Sequence, residues 1–169
     1  MTDEILHECG IALVRLRKPL SYYIEKYGPT FGMNKMYILM EKQHNRGQDG
    51  AGIANIKIDV APGYRYISRY RSIKSQPVAH LFKKIGKKYQ KAQKAGKDKF
   101  HNEQWLKEHV AFAGEVWLGH LRYGTHGFNS IENVHPFLRQ NNWRSRNLVM
   151  AGNFNMTNVD ELFDLLVSL

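Results

Sequence analysis

Short stretches in which apolar and β-branched residues cluster, or alternate with polar ones, predict four β-strands. They cover residues 11–16, 53–58, 116–123 and 147–151. The second stretch alternates apolar and polar positions, which is typical of a strand with one buried face. Residues 64–70 are expected to form its hairpin partner, with Tyr64, Tyr66 and Ile67 facing the core.

Apolar residues three or four positions apart predict helices in other parts of the chain. The first helix covers residues 34–43, with Asn34 as its N-cap and an apolar face made by Met36, Leu39 and Met40. Because strands and helices mix without a strict strand–helix–strand rhythm, we expect an α+β fold built in layers.

Residues 80–99 predict a longer, cationic helix in which lysines surround an apolar stripe. The stripe consists of Leu81, Phe82, Ile85, Tyr89 and Ala92. Gly86 is expected to weaken this helix. A last helix follows Asn158, a suitable N-cap, and carries two acidic residues in its first turn. Its apolar face consists of Val159, Leu162, Phe163, Leu166 and Leu169.

Length and composition indicate one soluble domain. The chain has 169 residues, of which 43% are hydrophobic, which suits a single domain with a real core. No apolar run approaches the roughly 18 residues that a membrane span needs. The first eight residues carry three acids and no basic residue, unlike a secretory signal. A single cysteine fits a reducing compartment, so we expect a cytoplasmic protein.

The net charge of +10 comes from one segment, because residues 65–99 hold twelve Lys or Arg and one acid. Three interpretations remain open for it. The segment is a solvated cationic helix, a docking surface for an acidic part of the same protein, or a nucleic-acid site that releases counterions and stacks bases on its tyrosines. We expect the nucleic-acid interpretation to be the weakest.

Cys9, the single cysteine, lies near the start of the chain beside Gly10. A lone cysteine of this kind is usually an inert core residue. If the residues before it were removed, its α-amine, with a reference pKa of about 7.7–8.0, would be a suitable general base for its own thiol. The residues alone therefore leave both a structural and a nucleophilic role open for Cys9.

Two polar residues that follow predicted strands are further candidates. Arg122 could hold a carboxylate through two parallel hydrogen bonds, although a surface arginine is the commoner case. Asn153, with the next backbone N–H, could form an oxyanion hole, or it could be an ordinary turn residue. His120, His126 and His135 lack metal-binding spacing, so we expect neither a metal nor a cofactor.

Five short motifs follow one another along the chain. They are Cys-Gly-Ile at 9–11, Arg-Gly-Gln-Asp-Gly-Ala-Gly-Ile at 46–53, Gly-His-Leu-Arg-Tyr-Gly-Thr-His-Gly at 119–127, Asn-Val-His-Pro-Phe at 133–137 and Asn-Phe-Asn-Met-Thr-Asn at 153–158. Together and in this order they resemble the class II glutamine amidotransferase domain. The resemblance implies the N-terminal nucleophile hydrolase fold, a four-layer αββα sandwich with two stacked antiparallel sheets.

The resemblance also implies a role for each candidate residue. Cys9 would be the nucleophile and, through its freed amine, the general base. Arg122, with Tyr123 and Thr125, would bind the glutamine α-carboxylate. Asn153 and the N–H of Phe154 would stabilise the oxyanion. Arg46 and Gly47 would support the site. The domain would hydrolyse glutamine to glutamate and ammonia through a Cys9 thioester.

The same resemblance divides the chain into a propeptide-like leader, residues 1–8, and an amidotransferase domain, residues 9–169. A basic insertion covers about 65–110. An aspartate that holds the glutamine α-amine in the family would follow residue 169, so we expect a C-terminally truncated domain with an incomplete pocket.

The motif at 46–52 is most similar to the amidophosphoribosyltransferase branch of the family. This branch implies a C-terminal phosphoribosyltransferase domain as the partner that uses the ammonia in purine synthesis, and homo-oligomers of the full-length enzyme. The Thr-His-Gly and His-Pro pieces are closer to the glucosamine-6-phosphate synthase branch, which is the alternative. A non-enzymatic module that binds nucleic acid or a protein through the basic helix is the alternative from a different functional class.

Overall fold

The computed structural model describes residues 8–124, 130–153 and 157–168. Within these ranges the chain forms two antiparallel β-sheets, of four and two strands, and five α-helices. The expected α+β class with two antiparallel sheets is therefore confirmed. Among the described residues, no helix combines the length and apolar character needed to cross a bilayer.

The larger sheet has the strand order β1-β4-β2-β3, with every neighbouring pair antiparallel. The strands are β1 (Gly10–Arg15), β2 (Gly50–Ile56), β3 (Ile67–Ser72) and β4 (Val116–Arg122). The predicted strands and the hairpin are confirmed, but Tyr64 does not face the core. It lies in the turn before β3, where its N–H donates to Ala61, and it is 43% exposed.

The prediction that β2 has one exposed face is wrong. Every residue from Gly50 to Asn55 is buried. This strand lies inside the sheet between β4 and β3, so helices cover one of its faces, and the backbone near His135 covers the other at Gly52. Because burial on both faces removes the need for polar alternation, the pattern alone could not indicate the position of β2 in the sheet.

Four helices come before β4 in the sequence. They are α1 (Leu20–Tyr27), α2 (Phe31–Lys42), α3 (Pro77–Ala95) and α4 (Glu103–His109). Helix α2 starts three residues before the predicted N-cap, so Asn34 lies inside the helix. Its side-chain NH2 donates to the hydroxyl of Thr30, the residue before the helix. Met36 and Met40 are fully buried as expected and lie against Gly119 of β4, whereas Leu39 points outward.

Helix α3 confirms the predicted amphipathic pattern. Its apolar stripe is buried, with Leu81 and Ile85 fully inaccessible, and it packs against β2 and β3. The exposed positions of α3 and the turn after it carry eight lysines: Lys83, Lys84, Lys87, Lys88, Lys91, Lys94, Lys97 and Lys99. We call this set the lysine face. The segment 65–110 thus provides β3, α3 and α4, and its apolar side chains are part of the main core.

The smaller sheet pairs β5 (Phe137–Arg139) with β6 (Leu148–Met150), which lies within the strand predicted at 147–151. Helix α5 (Val159–Val167) follows Asn158, as predicted, although the asparagine side chain makes no capping hydrogen bond. The apolar residues of this helix that were expected to face a core, such as Phe163 and Leu166, are exposed.

Candidate active site

Cys9 lies just before β1, where this strand pairs with the last residues of β4. Its Sγ atom accepts a hydrogen bond from the backbone N–H of Tyr123, at 3.5 Å, and lies 3.9 Å from the Tyr123 carbonyl oxygen. The side chain is partly buried. The thiol is thus held against Tyr123, the residue after Arg122; these are two of the three residues that the resemblance assigns to the carboxylate pocket.

The loop after α2 packs against both strand ends. A β-carbon placed on Gly10 would lie 2.9 Å from Oε1 of Gln43 and 3.4 Å from Cβ of Arg46. On the other side of the loop, a β-carbon placed on Gly47 would lie 2.5 Å from the carbonyl carbon of Arg122. Arg46 and Gly47 therefore pack against the backbone at Gly10 and Arg122.

Asp49 fixes the turn that follows β4, a role that sequence reasoning did not assign. Its backbone N–H donates to the Arg122 carbonyl at 3.2 Å, and its Oδ2 accepts from the Gly124 N–H at 2.7 Å. The sequence signal was the glycine-rich motif itself, because an acid between Gly47 and Gly50 can reach neighbouring backbone amides.

Arg122 is almost fully buried, with 6% of its surface exposed. It lies opposite Gly50 of β2, and a β-carbon on Gly124 would lie 3.4 Å from its Nη1 atom. A cavity of about 280 Å³ lies at the following residue, Tyr123, and is also lined by Asn45, Gln48 and Asp49. A guanidinium can hold a carboxylate through two parallel hydrogen bonds.

Two histidines form a buried pair on the same sheet face as Arg122. His120 of β4 and His135 have ring centroids 4.7 Å apart. Burial lowers the pKa of His120 to about 4, with the neighbouring His135 and Arg122 acting in the same direction. Burial also lowers the pKa of His135. Both rings are therefore neutral at pH 7. From the sequence, these histidines were weighed as metal ligands and as hydrogen-bonding residues in turns, and not as a buried pair.

Asn153 is connected to the histidine pair through the preceding residue, Gly152. The Gly152 N–H donates to Nδ1 of His135 at 3.1 Å, which ties the end of the second sheet to the first. Asn153 itself is exposed, and within the described ranges no hydrogen bond joins it to Cys9 or Arg122. The structure thus brings five of the predicted residues together: Cys9, Arg46, Gly47, Arg122 and Tyr123. Asn153 is linked to β4 only indirectly, through Gly152, His135 and His120.

Several predicted site residues lie outside the described residues. These are Thr125 of the carboxylate pocket, Phe154 of the oxyanion hole, and residues 1–7 of the leader. Among the side chains that the structure does describe, no group of three or more His, Cys, Asp or Glu is arranged to hold a metal ion.

Comparisons with known proteins give a similar solved structure but no matching family. No protein-family model matches the chain, and no curated protein matches it. The solved structure of glutamine phosphoribosylpyrophosphate (PRPP) amidotransferase from B. subtilis, complexed with ADP and GMP, is similar to this chain with 22% sequence identity and a TM-score of 0.48. The similarity covers 80% of this chain and 22% of that one, so the chain spans about a fifth of the similar protein.

Proposed function

We propose that this chain is a glutaminase domain in which Cys9 attacks the side-chain amide of glutamine. The observation that carries the proposal is the position of the Cys9 thiol, which is hydrogen-bonded to the backbone N–H of Tyr123, the residue after the buried Arg122. A nucleophile and a carboxylate-binding cation side by side fit a substrate that carries an α-carboxylate at one end and an electrophilic amide carbon at the other.

The proposed reaction has two steps. In the first, Sγ of Cys9 bonds to the amide carbon, the C–N bond breaks, and the amide nitrogen leaves as ammonia with the proton that the thiol gave up. In the second, water adds to the thioester carbon, the C–S bond breaks, and glutamate leaves while the thiol regains a proton. Asn153 and the Phe154 N–H are the proposed donors to the oxyanion that precedes each bond cleavage.

The general base in this proposal is the α-amine of Cys9. An amide nitrogen cannot take up the thiol proton, so the base exists only when residues 1–8 have been removed. The leader is therefore a propeptide, and the unprocessed chain is a poor glutaminase.

We further propose that the ammonia feeds a phosphoribosyltransferase domain that follows this one in a cytoplasmic enzyme of purine synthesis. The support is the Arg-Gly-Gln-Asp-Gly-Ala-Gly motif at 46–52. The exposed lysine face favours a second candidate, a module that binds an acidic partner through α3. Such a module would need neither the thiol nor a free amine on Cys9.

The test is the intact mass of the full-length protein before and after incubation with an electrophilic glutamine analogue. Two forms are compared, one that begins at Cys9 and one that retains residues 1–8, each with a Cys9→Ala control. We expect one adduct on the form that begins at Cys9, little on the form with the leader, and none on either control.

Two results would contradict the proposal in different ways. Equal labelling and equal glutamine hydrolysis with and without the leader would show that the α-amine is not the base. A form that begins at Cys9, is folded, and takes up no adduct would rule out the glutaminase function and favour the binding module.

A further inference from the structure

His135 lies where the two sheets meet, between β4 and the residue that precedes Asn153. Its ring packs against the His120 ring on one side and the Phe137 ring on the other, with centroid distances of 4.7 Å and 4.3 Å. Its Nδ1 atom accepts the hydrogen bond from the Gly152 N–H. One side chain thus contacts β4, β5 and the segment after β6.

The backbone of His135 is itself fixed to the main sheet. Its carbonyl oxygen lies against the α-carbon of Gly52, in the space that any larger residue would fill with its β-carbon. Arg71 of β3 donates from Nη1 to the carbonyl oxygens of Glu132 and Val134, at 3.2 Å and 3.1 Å. The backbone around His135 is therefore held against β2 and β3. Its ring can in turn hold Gly152 in a fixed position relative to the main sheet.

The hydrogen bond from Gly152 requires a ring without a proton on Nδ1, because a protonated nitrogen is a donor and cannot accept. The surroundings favour that state. In the part of the chain that the structure describes, the charged or titratable groups that face the ring are His120 and Arg122 of β4 and Arg71 of β3. Burial lowers the pKa of His135, and the two guanidinium groups act in the same direction, whereas the backbone contact with Gly152 raises it. The net shift is downward, so the neutral ring with its acceptor is favoured at neutral pH.

We propose that His135 is a positioning residue, whose neutral ring holds Gly152, and with it the oxyanion donor Asn153, against the strand end that carries Arg122 and Tyr123. The proposed effect on turnover rests on the proposed glutaminase function. The anchoring of Gly152 stands independently of it, since it follows from the hydrogen bond and the ring contacts alone.

Two variants, made in the form of the protein that begins at Cys9, separate the effect of the hydrogen-bond acceptor from the effect of the imidazole ring. In His135→Asn the side-chain oxygen can take the place of Nδ1 and cannot be protonated in this pH range. In His135→Leu the acceptor is lost. The first measurement is hydrogen–deuterium exchange of peptides that cover Gly152. We expect at least tenfold faster exchange of this amide in His135→Leu and near wild-type exchange in His135→Asn.

The second measurement is the pH profile of glutamine hydrolysis. We expect His135→Leu to lower kcat at least tenfold with little change in KM, and His135→Asn to retain most of the turnover. Because protonation of Nδ1 abolishes the acceptor in the wild type only, His135→Asn should keep its activity to lower pH than the wild type does.

Each outcome decides one part of the proposal. Wild-type exchange at Gly152 and wild-type kcat in His135→Leu would overturn it. Faster exchange together with a wild-type protein that neither hydrolyses glutamine nor takes up the analogue would support the anchoring and refute the glutaminase function. If His135→Leu does not fold, the His135→Asn profile decides, and an acid limb unchanged from the wild type would overturn the pH dependence of the anchor.

Discussion

At the scale of single residues, the site depends on a close approach of two backbones. The α-carbon of Gly47 lies directly against the peptide group that follows Arg122, and there is no room for a β-carbon between them. The neighbouring Asp49 amide donates to the same carbonyl group. Glycine is therefore required at position 47 because a side chain would not fit between the two backbones, and not because the backbone angle is unusual.

Gly47→Ala is expected to displace the loop from Arg122 and so to disturb both the thiol and the carboxylate pocket. Overpacking of this kind costs about 1–3 kcal/mol of unfolding free energy, and a displacement of about 1 Å at a reacting centre can cost on the order of a hundredfold in rate. We expect turnover of glutamine to fall at least tenfold, measured together with chemical denaturation. A Gly47→Ala protein with wild-type turnover would show that the loop does not support the site.

Residues that belong to short motifs could be named as candidates from the sequence, whereas contacts between residues far apart in the chain could not be predicted. Cys9, Arg122 and Gly47 could be named because each belongs to a short motif. His135 could not be assigned its structural role, because its partner Gly152 is 17 positions away and nothing in the intervening sequence indicates the pairing.

At the scale of elements, helix α3 contains one local defect. Gly86 lies in the middle of this 19-residue helix, and a β-carbon placed on it would meet no atom within 4 Å. Its backbone angle is not in the left-handed region, so alanine fits without strain. A glycine at such a position weakens the helix, because it loses more conformational entropy on folding than alanine does.

Gly86→Ala is accordingly expected to stabilise the protein by about 0.5–1 kcal/mol, without effect on glutamine turnover. Gly96→Ala, just after the same helix, is the matched contrast. There a β-carbon would overlap the indole ring of Trp105, so we expect destabilisation. Urea denaturation of both variants measures the difference, and a lower midpoint for Gly86→Ala would contradict this account of the helix.

The elements themselves were predictable in proportion to their length and periodicity. The long helix α3 was found from its apolar stripe, although it begins at Pro77 instead of His80. Helices α1 and α4 have eight and seven residues, about two turns each, which is too short for a period of 3.6 residues to stand out. The starts of helices were wrong where a predicted cap, such as Asn34, lies inside the helix instead.

At the scale of the whole molecule, the main sheet buries polar groups in its centre. Its helix-covered face is apolar, whereas the other face holds His120 and Arg122 beneath the backbone around His135. His120 is 1% exposed, and among the described residues neither of its ring nitrogens has a partner at hydrogen-bond geometry. The fold class and one hairpin followed from the pattern of apolar residues, but the strand order and this polar layer depend on how distant segments meet, which the pattern does not encode.

The buried His120 should make global stability depend on pH. In the folded protein its pKa is lowered to about 4, from 6.5 in the unfolded chain. Between these values the unfolded chain binds a proton that the folded protein does not, so stability falls as the pH decreases from 6.5 to 4 and changes no further below that, as far as this group is concerned.

His120→Leu tests this dependence, because leucine fills a similar volume and does not titrate. The contribution of His120 to the loss of unfolding free energy between pH 6.5 and 4 is on the order of 3 kcal/mol, and we expect the variant to lack it. At pH 7 the variant should be within about 1 kcal/mol of the wild type, since the lost ring contact is offset by the removal of two buried polar atoms that have no partner at hydrogen-bond geometry among the described residues. Urea denaturation at a series of pH values gives both curves. Parallel curves between pH 6.5 and 4 would mean that His120 is solvated in the folded protein, and the polar layer would then be open to water.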